Sequence, residues 1–298
     1  MVDPKKVIAS WWAKNPMTYG MEHGSTDFLE DGNVVPVNLG TREFFERADQ
    51  NLFNWNRPLH QAGDPFGKIF PYQRYRNREI LEIGCGLGCM AMLWAQQGAR
   101  VTAVDLNPVS MQQTQQRFEL FHLDGRIQQE DANNLSFSDE SFDYVYSWGV
   151  LHHSPNIQRS IAELFRVLKA GGEFGVMLYH RHSLLHWYHT LYVEGILHAE
   201  RRFLNHLELA SRYGDGHRQE GNPYTWPMTR AEIRQLFSPY LRNPIIKVLG
   251  TELDNTFKFL LPGVSFMVPR IVKKAWARRW GWSLWVYGRK DETPCAAS

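Results

Sequence analysis

Gly84, Gly86 and Gly88 stand between the apolar run Ile80-Leu81-Glu82-Ile83 and the stretch that starts at Cys89. Such glycines do chemistry through the backbone. They let it approach a ligand closely, while the first turn of a following helix offers unpaired N–H groups. Two carboxylates complete the pattern. Glu82 precedes the first glycine by two residues, and Asp105, 23 residues further on, ends a second apolar run. That separation suits a carboxylate that meets a ribose at the next strand tip. A dinucleotide-binding turn would read G-x-G-x-x-G. Here Met90-Ala91 take the place of the third glycine, which together with Glu82 argues against NAD.

A second group of reactive residues follows. His152 and His153 come after a β-rich run. Imidazole titrates near neutrality, so either is a candidate general base; the alternative is a cap on the loop before Pro155. Tyr179, His180 and Arg181 end the next run, and open parallel sheets bind ligands beyond their strands' carboxyl ends. Arg181 suits an anionic acceptor, or else is surface charge. His182, His186 and His189 have helical spacing that could present two metal ligands on one face. No Asp, Glu or Cys accompanies them at ligand spacing, so no metal is expected.

The elements that must position these groups alternate. Strands are predicted at 79–83, 100–105, 126–129, 142–147 and 173–179, with helices around 89–97, 108–122 and 157–169. This is the signature of parallel βαβ units in an α/β protein. Ile161, Leu164, Phe165 and Leu168 give the last helix one apolar face, and Gly171-Gly172 is expected to stop it. The alternation then breaks for about sixty residues, 180–240. This insertion is rich in His, Tyr and Trp, partly helical over 184–198, with a capping box at Thr229–Glu232 opening a short helix. Strands at 245–250 and 282–287 flank an apolar segment, 257–279. The first seventy residues show no sustained period and read as short helices and loops that cover something.

Composition excludes several classes. The 298 residues are enough for one large domain, and 33 Lys plus Arg against 31 Asp plus Glu give a charge of +2, which calls for no nucleic-acid partner. Cys85, Cys89 and Cys295 make neither a disulfide framework nor a four-cysteine zinc site. The N-terminus lacks a secretion signal and no uninterrupted apolar stretch is long enough to span a bilayer, so a soluble cytoplasmic protein is expected. The tail Cys295–Ser298 fits the C-a-a-X prenylation pattern but has no polybasic second signal before it, and reads as coincidence. The 11 Trp, 12 Tyr and 17 Phe are 13% of the chain, more than core packing accounts for comfortably, so some are expected to line a pocket.

Five ordered motifs now resemble a known family. They are Leu81–Gly88, Val104-Asp105, Gln129–Ala132, Phe142–Val145 with Gly149–His153, and Arg166–Gly172. The chain resembles the class I S-adenosylmethionine-dependent methyltransferases, in the small-molecule branch with quinone-type enzymes. Ala170 departs from the family's usual proline, in a turn remote from the cofactor. The resemblance implies a Rossmann-like, mostly parallel seven-stranded sheet with helices on both faces and the last strand antiparallel. It divides the chain into an N-terminal lid, 1–70, and a methyltransferase domain, 71–298, with a second lid at 180–240. Trp11, Trp12, Tyr19 and Met21 would belong to the first lid.

The same resemblance implies roles for residues. Glu82 would hold the glycine turn or the methionyl amino group, and Gly84, Cys85, Gly86 and Gly88 would contact the methionine part. Asp105 would accept both ribose hydroxyls, Leu106 would lie against the adenine, and Asp131 with Ala132 would bind its edge. Ser147 and Trp148 would sit beneath the sulfonium. Asn222-Pro223-Tyr224 has the composition that amino-methyltransferases use to activate a nitrogen, but it lies in the insertion and reads as a turn. The expected reaction is in-line methyl transfer from S-adenosylmethionine to O or C of a small apolar or aromatic acceptor. Its alternatives are S-methylation of a small thiol or hydrosulfide, and an inactive S-adenosylmethionine-binding module. Residues 257–282 read first as a sheet-covering helix, with contact to a membrane surface as the other reading.

Overall fold

Strands buried on both faces should be continuously apolar, and the central ones are. In β3 (Glu79–Ile83) every residue after the first is buried, Glu82 included, and in β4 (Arg100–Asp105) the four middle positions are. The computed structural model describes residues 4–21, 25–214, 221–241, 243–251 and 267–291. The C-a-a-X tail and positions 257–266 of the apolar segment lie outside the described residues.

An N-terminal helix, α1 (Pro4–Lys14), precedes a hairpin of β1 (Asp27–Glu30) and β2 (Asn33–Pro36). Asp31 and Gly32 both have positive φ at its tip, as a two-residue hairpin turn requires. Helix α2 (Arg42–Asn56) follows, capped by the Thr41 side chain. The main sheet adds β5 (Arg126–Gln129), β6 (Phe142–Trp148), β7 (Leu168–Tyr179), β8 (Ile245–Leu249) and β9 (Ser283–Arg289). Its seven strands run in the order β5-β4-β3-β6-β7-β9-β8. The pairs from β5 to β7 are parallel, and β9 is antiparallel to both neighbours. The order in which successive strands are added therefore reverses between β3 and β6. A crevice at the carboxyl ends of those two strands follows from that topology.

Helices α3 (Cys89–Gln96), α4 (Pro108–Leu120) and α5 (Ile157–Val167) connect the parallel strands. Pleating sends alternate residues of β6 into different layers. Tyr144 and Tyr146 join a core with Trp94, Phe70 and Trp285, whereas Val145 joins one with Ile161, Leu164 and Phe165. The capping box at Thr229 opens α7 (Arg230–Phe237), preceded by α6 (His206–Tyr213). Helix α8 (Arg270–Trp280) joins β8 to β9.

One expectation changes. Helix α5 ends at Val167 rather than at the glycine pair, and Leu168, the expected last member of its apolar face, instead pairs with Phe142 at the start of β7. The far end of β9 causes this: Gly171 N–H donates to the Lys290 carbonyl and Lys290 N–H to that of Gly172, at 3.0 and 2.8 Å, drawing the segment into the sheet. Aromatic residues serve both the pocket, through Trp12, Tyr19, Trp148 and Tyr179, and the core. The Phe70 ring packs on those of Tyr146, Trp94 and Trp285 at 5.0, 5.6 and 5.6 Å. Because Leu59, Phe66 and Phe70 share one core with the sheet, packing is continuous across residue 70. No described helix is long and apolar enough to cross a membrane.

Candidate active site

The glycine turn leaves β3 at the crevice. Gly84 and Cys85 donate to the Val104 carbonyl at 2.7 and 3.0 Å, which pins the turn against β4. Gly84 has φ +80°, and a Cβ there would lie 2.4 Å from Val150 Cγ2. Gly86, at φ +55°, would meet nothing, so backbone conformation selects glycine there and its face stays open to a ligand. Asp105 accepts from Gly86 N–H at 3.0 Å through Oδ2 and from Asn107 N–H at 2.9 Å through Oδ1. Each carboxylate oxygen keeps a further lone pair. Burial raises the Asp105 pKa.

Glu82 is the most unusual group in the crevice. It is 2% exposed, and its Oε2 has no hydrogen-bond partner. Burial pushes its pKa up to about 8, with Asp105 adding to the rise. The Tyr146 hydroxyl facing it, the Ala91 amide and the more distant Arg117 pull only partly the other way. The Tyr146 hydroxyl itself makes no hydrogen bond of good geometry, so proximity and not a formed bond is its contribution.

Between these groups and the covering segments lies a cavity of about 260 Å³. On the β3–β5 side it is lined by Glu82, Gly84, Cys85, Gly86, Asp105 and Leu106, and further along by Asp131 and Ala132. Trp148, His153 and Tyr179 form the other end. Helix α1 and the chain after it cover the opening through Lys5, Ile8, Trp12 and Tyr19. Lys5 Nζ is ion-paired with Asp131 Oδ2. Although burial alone would raise the Asp131 pKa, the Lys5 ammonium and the Asn133 amide together hold it below the ordinary value.

His153 is oriented by the insertion. Its Nδ1 lies 2.8 Å from the Tyr224 carbonyl, which only accepts, so Nδ1 carries the proton and Nε2 is the basic nitrogen of the neutral ring. Thr225 Oγ1 is 3.2 Å from the same nitrogen. Asn222 Oδ1 in turn accepts from Tyr224 N–H at 2.9 Å and from Thr225 Oγ1 at 2.8 Å. The Asn222-Pro223-Tyr224 tripeptide is thus a side-chain-stabilised turn that aims a histidine.

Other expected residues lie outside the cavity lining. Gly88 caps α3 in the left-handed conformation. Ser147 is fully buried and donates to the Ile83 carbonyl at 2.8 Å, tying β6 to β3. His152 is sandwiched by Tyr179 and His153, with centroids 3.8 and 4.2 Å away and no partner on either ring nitrogen. Burial, then the neighbouring His153, holds its pKa well below 6.5, so the ring is neutral. His180 donates from Nδ1 to the Gly281 carbonyl at 2.9 Å, and burial lowers its pKa to about 4. Arg181 is turned to the Pro227 carbonyl and to Glu232 at 2.9 Å, bracing the start of α7. Met21 is 51% exposed and outside the lining. Lys5, Asn133 and Met17 do line the cavity and were not expected. The i, i+4 spacing of Ile8 and Trp12 is the signal that marks α1, and a search for sustained periods passes over it.

Comparison with known proteins places this geometry. Residues 81–176 match the family described as a methyltransferase domain. The phthiotriol/phenolphthiotriol dimycocerosates methyltransferase of Mycobacterium tuberculosis is 37% identical over 176 residues, 57% of this chain and 59% of that protein. A sterol 24-C-methyltransferase of Gibberella zeae is 30% identical over 153 residues, 46% of this chain and 40% of that one. The chain therefore spans about half the length of the curated relatives it matches. Among solved structures, a SAM-dependent methyltransferase from Methanosarcina mazei aligns with TM-score 0.52 at 21% identity, covering 76% of this chain and 99% of that one. The methyltransferase bound to the Trm112 activator from Haloferax volcanii aligns with TM-score 0.53 at 14% identity, covering 84% and 95%. Sheet order and these alignments give the chain the fold of the solved methyltransferase structures, and the methyltransferase-domain match falls on the strands and the glycine turn that line the cavity.

Proposed function

We propose that the protein transfers a methyl group from S-adenosylmethionine to a small apolar, lipid-like or aromatic acceptor. The observation that carries this reading is the Glu82 carboxylate, buried in the cavity wall with Oε2 unpartnered. A buried acceptor of this kind costs stability unless a donor reaches it. The ammonium of a methionyl group is such a donor, and its arrival would ionise Glu82. The open face of Gly86 admits the same part of the ligand, while the remaining lone pairs of Asp105 suit ribose hydroxyls and Leu106 an adenine face.

When bound, the donor supplies a methyl group on a positively charged sulfur, already activated towards displacement. The chain's own work is then alignment, exclusion of water and handling of the acceptor's proton. Trp148, Tyr179 and Trp12 make the acceptor end aromatic and exclude water. His153, with Nδ1 held by the Tyr224 carbonyl, accepts the proton of a hydroxyl acceptor at Nε2. The aromatic lining favours an apolar acceptor, and the relatives are named for sterols and for dimycocerosates, which agrees. Methylation falls on O or C in this reading.

The test uses the full chain. Calorimetry should give one S-adenosylmethionine bound per chain, with NAD not competing. S-adenosylhomocysteine release should then appear with sterols, phenols or long-chain alcohols in an acceptor panel. No S-adenosylmethionine binding would sink the class of activity, and turnover with small thiols alone would replace the acceptor.

A further inference from the structure

The insertion carries a helix that the cavity does not use. Residues His186–Leu197 form a wide π-type helix with solvent-facing apolar side chains. Trp187 is 61% exposed, Ile196 53%, Leu197 60% and Phe203, just beyond, 85%. Bonding of the i→i+5 type brings residues four and five apart onto one face, so Trp187, Tyr192 and Ile196 form a stripe. Five of the fourteen exposed large hydrophobic side chains among the described residues lie between positions 187 and 203. Scattered apolar residues need no explanation, but a contiguous set does.

A basic element ends two residues before Trp282, whose ring packs at the start of this π-type helix. Helix α8 reads Arg-Ile-Val-Lys-Lys-Ala-Trp-Ala-Arg-Arg-Trp, with five cations, no carboxylate and no buried residue. Arg270, Lys274 and Arg278, spaced by four, are exposed together with Arg279, and Arg201 and Arg202 are exposed at the other end of the stripe. The Trp282 ring lies 6.2 Å from that of His186, the first residue of the π-type helix, and 4.4 Å from that of Tyr179. Tyr179 lines the cavity.

We propose that this face docks on the surface of an anionic lipid bilayer. Trp187, Tyr192, Ile196, Leu197 and Phe203 enter the headgroup region, where amphipathic aromatic rings are favoured, while the flanking arginines and Lys274 meet anionic headgroups. A second copy of the chain is the poorer occupant because it brings the same cations. The only carboxylate in the two helices is Glu194, already engaged by His198 at 2.8 Å and His189 at 3.5 Å. Docking stands without the methyl-transfer reading. Passage of an apolar acceptor from the bilayer to the Tyr179 end of the cavity rests on that reading.

The experiment is co-sedimentation of the full chain with vesicles of phosphatidylcholine, with and without phosphatidylglycerol. Expected is binding to the mixed vesicles, with a blue shift of tryptophan emission and loss at high salt, where surface charges are screened. Lys274→Glu with Arg278→Glu should weaken partitioning by roughly fivefold or more for each cation removed. Trp187→Ser with Ile196→Ser should abolish the blue shift. Both variants should bind S-adenosylmethionine as the parent does, which establishes that they fold. Partitioning indifferent to phosphatidylglycerol, or unchanged in both variants, overturns the proposal. So does a parent chain that self-associates through this face and ignores vesicles, with Trp187→Ser and Ile196→Ser making it monomeric. Loss of S-adenosylmethionine binding in the parent would instead strike the methyl-transfer reading and leave docking standing.

Discussion

Around the glycine turn, the cavity wall consists of strand ends and the residues that follow them, all within about fifty positions of sequence, 82–132. Around His153 and Tyr179 it is assembled from β6, β7, the loop after β6 and α1, elements separated by most of the chain, and the insertion braces His153 from behind through the Tyr224 carbonyl. The first end is held through its backbone N–H groups: Gly84 and Cys85 donate to the Val104 carbonyl, and Gly86 to the Asp105 carboxylate. The second is held by side chains and ring contacts, such as Trp12 edge-on to His153 at 5.3 Å. A shared donor needs a fixed cradle, whereas acceptors differ, so variation is cheaper where the wall is braced by insertions.

The contrast is broken most directly at His153. His153→Ala should lower turnover of a hydroxyl acceptor by about 10²–10⁴-fold while S-adenosylmethionine affinity stays constant. His180→Ala should do far less, since that ring is committed to the Gly281 carbonyl. Single-turnover rates from roughly pH 6 to pH 9 decide the matter. If no histidine costs more than about tenfold and the rate follows the acceptor's own ionisation, the base is dispensable and a thiol acceptor gains ground.

At the donor end the first test falls on Glu82. Glu82→Gln should weaken S-adenosylmethionine binding by about 1.5–3 kcal/mol, roughly ten- to a hundredfold. Its sign with pH is specific. The folded apo chain holds Glu82 protonated up to about 8, against 4.5 for the ordinary carboxyl. Protonation therefore stabilises the fold fully below the ordinary value, and that contribution is lost as pH rises through about 8. Ligand binding at neutral pH should release a proton, visible as a calorimetric heat that depends on the buffer, and Glu82→Gln should lose both this release and the pH-dependent part of stability. A buffer-independent heat in the parent chain would remove Glu82 from the site.

Asp105→Ala should cost a similar 1.5–3 kcal/mol in affinity, about that of a charge-assisted contact. It should also lower the melting temperature, because Gly86 and Asn107 lose their acceptors. Unchanged affinity in a folded variant would detach Asp105 from the ribose.

What could be read from sequence follows the same division. Strand and helix periods are local, and so are the glycine turn, Asp105 and the Thr229 capping box; each is set by residues within a few positions of one another. Leu168 was misassigned because its partner, Phe142, and the Lys290 backbone that pulls the next residues into the sheet are remote. Ser147 and Trp148 are adjacent, yet only Trp148 reaches the cavity, because strand pleating sends neighbours to opposite faces. Arg181 looked available to an acceptor until the fold brought Glu232 to it. The role of Asn222 in aiming His153 joins positions about seventy residues apart, and no spacing rule connects them.

Lys5 is the smallest lever and tests whether α1 belongs to the donor end or merely rests on it. Its ammonium sits on Asp131, the carboxylate expected at the adenine edge, with side chains 38% and 27% exposed. Partly exposed pairs of this kind contribute about 0–1 kcal/mol, so Lys5→Met should leave the fold intact. Asp131 Oδ1 accepts from the Asn133 amide at 2.8 Å, and a carboxylate has four lone-pair positions, so Lys5 and a ligand amine can share it. If α1 closes over the bound donor, Lys5→Met should weaken S-adenosylmethionine binding by no more than about fivefold, the fold-change of the pair itself. The change should appear in the dissociation rate, because a cover that is less well fastened opens more often. It should shrink as salt screens the pair in the parent chain. Tighter binding in Lys5→Met would reverse the reading, making Lys5 a competitor for Asp131 and α1 an obstacle that the donor must displace.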